Sequence, residues 1–357
     1  MNDQLFSSYP LGGLQLANRM VMAPLTRNRS DAGGVPTDLN VEYYRQRASA
    51  GLIISEASQI SAEGVGYPDT PGIYSEEQVQ GWRKITDAVH QQGGLMFNQL
   101  WFCGRISHPS MLPDSQLPVA PSAIRPDGEA VTAEGMLAFV EPRALDADEI
   151  PGIVAQYHHA AKQAKAAGFD GIEVHAANGY LIDQFLRDGS NQRTDQYGGN
   201  IENRMRFLNE VLDSVSDIWP ANQIGVRLSP ENGFNSISDS NPATHFSYIV
   251  SQLNQRGLAY LHVLEGDMLT QKSTLDYPAL RRMFTGTYMA NNGYTQEKAE
   301  QALQSDNCDL IAFGVPFIAN PDLVARFQQK ADLNTADQNT FYGGDEQGYT
   351  DYPYLTA

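Results

Sequence analysis

Eight short apolar runs recur along the chain, at 19–25, 52–57, 95–101, 171–175, 224–228, 260–264, 287–290 and 310–314. Their near-continuous apolarity suits strands of a parallel sheet buried on both faces. The segments between them carry a different period. Over 148–167, Ile150, Ile153, Val154, Tyr157, Ala160, Ala161, Ala164 and Ala167 make one apolar face at helical spacing. Gly168 then sits where a C-terminal helix cap belongs. Asn200 is placed to cap a helix running to about Ile218, with Glu202 in its first turn complementing the dipole. Segments 295–303 and 321–329 supply the last two helices, the second with Pro321 just inside its start.

Strand–helix units repeated in this way predict an α/β fold, a (β/α)8 TIM barrel. That fold takes about 250 residues, which leaves roughly a hundred of the chain for loops and added elements. The largest excess is 102–147, rich in Pro and Gly, between strand three and helix three. Within it 131–140 reads as a hairpin, expected to cap the barrel mouth. A doubly wound sheet is the competing architecture, but no strand is followed by a Gly-rich dinucleotide fingerprint and no internal break appears. The expectation is one domain over 1–357, with 102–147 as an inserted cap.

Charge narrows the partners. Lys and Arg number 24 against 42 Asp and Glu, a net −18. Such a field repels nucleic acid and anionic lipid, and no basic cluster offsets it. Cys103 and Cys308 form neither a metal-ligand spacing nor a disulfide framework. The first residues lack the apolar core of a signal peptide, and no apolar stretch approaches the roughly 20 residues needed to span a bilayer. A soluble cytoplasmic protein with a small-molecule substrate is expected.

In a barrel the chemistry lies at the C-terminal strand ends. Read in order, these ends give Pro24, Leu25 and Thr26; Ala57; Gln99 with Trp101; His175 with Asn178 and Tyr180; Arg227; Asn292 with Gly293; and Gly314 with Val315. No metal site is expected, since His175 has no second histidine or carboxylate at ligand spacing. A retaining glycosidase needs two carboxylates about 5–5.5 Å apart, whereas Glu173 is mid-strand and strand seven ends in Asn291-Asn-Gly293. The serine-nucleophile elbow is absent too. Neutral donors, one buried arginine and backbone-exposing glycines remain, and such glycines can cradle a phosphate. Taken singly, His175 reads more readily as a satisfied structural residue than as a catalytic one, Asn178-Gly179 can be a turn and Tyr180 a core aromatic. Arg227 is the stronger signal, because a buried cation needs a partner and its strand offers none.

Seven motifs, in order, carry a resemblance. They are Met22-Ala-Pro-Leu-Thr-Arg27, the stretch 42–56, Gln99-Leu-Trp101, His175-Ala-Ala-Asn-Gly-Tyr180, the polar tract 190–199, Ile318-Ala-Asn-Pro-Asp-Leu323 and Gly348-Tyr-Thr-Asp-Tyr-Pro353. Together they make the chain resemble the Old Yellow Enzyme family of flavin-dependent ene-reductases nearly end to end. The resemblance implies FMN over the barrel mouth, beside Ala23, Pro24, Leu25, Thr26 and Ala57, with its phosphate near Asn292, Gly293, Gly314 and Val315. Thr26 would hydrogen-bond the flavin ring, and Gln99 and Arg227 would face its pyrimidine side. His175 and Asn178 would hold the carbonyl oxygen of an α,β-unsaturated carbonyl substrate. Tyr180 would protonate the α-carbon after hydride reaches the β-carbon. NADPH or NADH would reduce the flavin at the same site, and Tyr67, Trp101, Phe234 and Tyr349 would shape the pocket.

Two positions depart from the family pattern. Val315 stands where the family usually carries an arginine on the FMN phosphate, and Phe102 where it usually carries a histidine. Loss of a charge-assisted bond is worth about 1.5–3 kcal/mol, so a flavin- or ligand-binding barrel with weak turnover stands as the alternative reading.

Overall fold

The computed structural model describes residues 4–355. Among the described residues eight parallel strands form the barrel: β1 (Met20–Met22), β2 (Leu52–Ile54), β3 (Met96–Trp101), β4 (Gly171–His175), β5 (Ile224–Leu228), β6 (Tyr260–Leu264), β7 (Tyr288–Asn291) and β8 (Leu310–Phe313). Each pairs with its successor, and β8 pairs with β1 through Ala312↔Val21. The ladder thus closes into a (β/α)8 barrel, which a doubly wound sheet with two free edges cannot do.

Every strand residue is buried, as the continuous apolar runs predict. One set of side chains points outward beneath the helices. The other, including Val21, Leu52, Ile54, Phe97, Tyr260, Met289 and Leu310, fills the barrel. Gly171 and Gly225 make this filling possible, since a Cβ there would stand 2.4 Å from the Phe97 ring and 2.3 Å from that of Tyr260. A hairpin of Tyr9–Leu11 and Leu14–Leu16 adds Leu11 and Leu16 to the same cluster.

The principal helices are α1 (Asp38–Gln46), α2 (Glu76–Gln91), α3 (Ile150–Ala166), α4 (Arg206–Ser216), α5 (Pro242–Leu253), α6 (Tyr277–Met283), α7 (Gln296–Gln304) and α8 (Leu323–Gln329). Gly168 takes φ +86° just beyond α3. Asn200 accepts from the Asn203 N–H, as a cap should, but the helix it opens ends at Arg204 and α4 resumes after Met205. Pro321 does not lie inside α8; the first helical residue is Leu323, because Asn320-Pro-Asp322 forms the entry turn. Inside 102–147, Glu129–Thr132 pairs antiparallel with Gly135–Ala138.

After α8 the chain returns over the barrel. Arg27 Nε donates to Phe341 O at 2.9 Å and Nη2 to Gly348 O at 3.0 Å. Arg47 Nη2 donates to Tyr349 O at 3.2 Å, and the Tyr349 ring stacks on Tyr43 with centroids 4.0 Å apart.

Candidate active site

The C-terminal strand ends open into a cavity of about 770 Å³, within the range of cofactor pockets. Its wall includes Ala23, Pro24, Leu25 and Thr26 after β1, Asn178 and Tyr180 after β4, Arg227 on β5, Phe234, Asn292 and Gly293 after β7, Gly314 and Val315 after β8, and Tyr67.

His175 ends β4 in register with Arg227. Asn178 takes φ +60° and Gly179 φ +77°, a left-handed pair that turns the chain into the short helix Leu181–Leu186. Both the turn and the pocket readings of Asn178 therefore hold together. Its N–H donates to Ser229 Oγ at 2.8 Å and its carbonyl accepts from Asn235 Nδ2 at 2.8 Å. Asn178 Oδ1 accepts from Asn232 Nδ2 at 3.0 Å. With its oxygen so engaged, Asn178 presents the amide NH2 as the free donor.

Tyr180 is nearly buried, with its hydroxyl 3.1 Å from that of Tyr67 and its ring 5.2 Å from the His175 imidazole. Burial, then Tyr67, pushes the Tyr180 phenol well above the usual tyrosine range. Burial, then Arg227 and His262, pushes His175 well below the usual histidine range. Both side chains stay neutral and each still carries a proton to donate at neutral pH. His175 Nδ1 is buried with no partner. Arg227 gives Nη2 to Asn291 Oδ1 at 3.1 Å and leaves Nε unpartnered.

Several expected contacts fall elsewhere. Tyr349 does not reach the cavity, because the stack on Tyr43 and cation–π contacts with Arg27 and Arg29 hold it fully buried. Phe341, Tyr342 and Gly343 from the same returning segment line the wall instead. Trp101 and Ala57 are also off the wall, packed behind it in a cluster with Tyr67 and Tyr180. Trp101 stacks on Tyr67 with centroids 5.6 Å apart and meets Tyr180 edge-on at 4.9 Å. Gln99 and His175 sit deep, 1% and 4% exposed: Gln99 donates to Glu173, and the His175 ring meets that of Tyr180 edge-on at 5.2 Å. Phe102 belongs to the core and contacts the Gly64 position.

Other wall residues carry no sequence signal of their own. Met268 and Gln271, from the loop after β6, and Asn28 and Asp69 join the rim only through long-range folding. Val131 also lines the cavity, which brings the hairpin of the long insertion to its edge.

The residues fit FMN. The unpartnered Arg227 Nε is a cation suited to the electron-rich pyrimidine edge. At the other end Asn292 (φ +99°) and Gly293 (φ +65°) expose backbone of the kind that accommodates a phosphate. Val315 lies at that end, 49% exposed at the start of the short helix Val315–Ala319, and brings no charge.

The sequence profile of the NADH:flavin oxidoreductase / NADH oxidase family matches residues 4–334. A probable flavin mononucleotide-dependent alkene reductase of Leishmania infantum is 46% identical over 99% of this chain and 98% of its own. Putative 12-oxophytodienoate reductase 2 of Oryza sativa subsp. japonica is 44% identical over 98% of this chain and 94% of its own. A solved structure of morphinone reductase in complex with tetrahydroNAD matches with a TM-score of 0.94 at 47% identity, over 99% of this chain and 98% of that one. No helix among the described residues is long and apolar enough to cross a membrane. The weak-turnover alternative is not favoured by relatives that are reductases over their whole length. This chain belongs to the NADH:flavin oxidoreductase / NADH oxidase family and is an Old Yellow Enzyme-type, FMN-dependent, NAD(P)H-consuming alkene reductase.

Proposed function

We propose that the alkene reduced is one conjugated to a carbonyl, and that Tyr180 is its proton donor. The observation that carries this is the cluster of three neutral proton-bearing groups at one strand end, Asn178, His175 and Tyr180. Asn178 and His175 donate to the carbonyl oxygen, which draws electron density from the β-carbon and favours enolate character. The chemistry that FMN would supply when bound is the hydride for that β-carbon, drawn from a nicotinamide nucleotide. Tyr180 then gives its phenolic proton to the α-carbon, and Tyr67, hydrogen-bonded to it at 3.1 Å, steadies the phenolate that remains. The names of the relatives support this reading: one reduces alkenes, one 12-oxophytodienoate. The tetrahydroNAD held by morphinone reductase supports a nicotinamide nucleotide using the same cavity.

For the cofactor, Ala23–Thr26 run beside the ring, Gln99 and Arg227 serve its pyrimidine side, and Asn292, Gly293, Gly314 and Val315 border the phosphate. Tyr67 and Phe234 shape the substrate space. The chain works as one domain in which 102–147 caps the mouth, supported by Val131 at the cavity edge. Two free, buried cysteines support a reducing, cytoplasmic setting.

Tyr180→Phe tests the assignment. Flavin reduction by NAD(P)H is expected to persist, while reoxidation of the reduced protein by cyclohexenone slows by about a hundredfold or more. Stopped-flow traces of the two half-reactions measure this. Equal loss in both would make Tyr180 a structural residue and sink the proposal.

A further inference from the structure

The barrel interior holds a polar layer that packing alone does not require. Glu173 on β4 lies opposite Gln99 on β3, and Arg227 on β5 lies opposite His262 on β6. All four are buried. Glu173 Oε1 accepts from Gln99 Nε2 at 2.6 Å, and Oε2 meets His262 Nδ1 at 2.8 Å. Tyr260, also buried and in register with Gly225, contributes a hydroxyl with no hydrogen-bond partner. A carboxylate placed here is costly unless its charge and lone pairs are used. Burial opposes its ionisation, but His262, Arg227 and Gln99 outweigh that and hold Glu173 below the usual carboxylate range. Burial depresses His262 as well, and Arg227 stands as the fixed cation beside the pair.

Two consequences follow for the groups above this layer. Because Gln99 Nε2 is engaged by Glu173, the amide oxygen is the face Gln99 has left; no protein donor reaches it among the described residues. An amide oxygen suits an imide N–H and disfavours an anion. The positive field of Arg227, meanwhile, is partly cancelled by the carboxylate behind it.

We propose that Glu173 is a positioning residue that sets the reduction potential of the flavin, holding Gln99 oxygen-first and screening Arg227 so that reduced, anionic flavin stays a strong hydride donor. This rests on the placement of Gln99 and Arg227 at the flavin's pyrimidine edge. Glu173→Gln removes the charge at nearly constant shape and frees the Gln99 amide to turn its NH2 outward. Both changes favour the anion, so the potential rises.

The test is the midpoint potential of the FMN-loaded protein, read by equilibration with a reference dye. Glu173→Gln is expected to raise the ratio of reduced to oxidised FMN affinity at least tenfold, about +30 mV for a two-electron couple. Arg227→Gln is expected to move it the other way. His262→Gln keeps the carboxylate and is expected to reproduce none of the rise. An unmoved or lowered potential in Glu173→Gln, beside a lowered one in Arg227→Gln, overturns the role of Glu173 alone. No shift in either overturns the placement of Gln99 and Arg227 at the flavin and the proposal with it. A rise in His262→Gln equal to that in Glu173→Gln makes the effect one of packing and likewise overturns it.

Discussion

Burial selects the chemistry of single residues at this site. The same desolvation that raises Tyr180 lowers His175, because each resists the form that carries charge. One environment thus supplies two neutral donors, and neither needs a dedicated partner to stay protonated. Val315 is the residue where the surroundings offer less. It is half exposed beside Gly314, where an arginine would add a charge-assisted contact to phosphate. Solvent screening puts that contact at the low end, about 1.5 kcal/mol. Val315→Arg is therefore expected to tighten FMN binding about tenfold. Fluorescence titration of apoprotein checks it, and equal dissociation constants would show that neutral backbone donors already saturate the phosphate. The grouping of His175, Asn178 and Tyr180 was legible because they crowd one strand end. The Gln99–Glu173 contact was not, because Glu173 reads as mid-strand and only the β3–β4 register turns its carboxylate onto Gln99. Thr26 and Gln99 were visible only through motif resemblance, since neither residue type marks a site by itself.

Among the elements, strands were more legible than helix ends. β4, β5 and β6 coincide with their apolar runs, since both faces are buried and the single polar residue inside each run, Glu173, Arg227 or His262, is buried with its neighbours. The run at 52–57 overreached. β2 ends at Ile54; Ser55 stays hydrogen-bonded to β3, while the Glu56 side chain ties loops together. Glu56 accepts from the Arg27 N–H at 3.3 Å and from the Tyr44 hydroxyl at 3.2 Å, joining the ends of β1 and α1. Burial raises its pKa to about 7 from 4.5. The folded state thus holds this proton more tightly than the unfolded chain, and stability falls as pH rises from about 4.5 to 7. Glu56→Gln removes that loss. At pH 8 it is expected to be more stable than the parent by on the order of 1–3 kcal/mol, and close to it at pH 5. Urea unfolding at both values decides; the same gap at both would rule out the titration of Glu56 as its cause. Helix breaks were less legible, and the interruption at Met205 has no Pro or Gly to announce it.

At the scale of the molecule, closure of the barrel decides which loops meet, and the returning C-terminal segment completes the ring. Arg27, Arg29 and Arg47 come from the first strand–helix unit, yet all three donate to carbonyls between 340 and 349. No local pattern encodes contacts across some 300 residues, which is why Tyr349 reads from sequence as a pocket aromatic and not as an anchor. Tyr349→Ala is expected to cost about 3–5 kcal/mol through lost packing. By loosening Phe341 and Tyr342 it should also weaken FMN retention. Thermal unfolding with and without FMN separates the two effects, and an unchanged FMN affinity in the destabilised variant would show that the segment does not complete the site.

That segment also fixes an order of events in the cell. Phe341, Tyr342 and Gly343 stand on the cavity wall and are made only after all eight barrel strands. The strands can be threaded and paired while synthesis continues, but the socket has an open side until the tail arrives. A complete flavin socket therefore waits on a segment made after the barrel, and a nascent chain stalled before Phe341 has a barrel's worth of sequence but nowhere complete to keep a flavin.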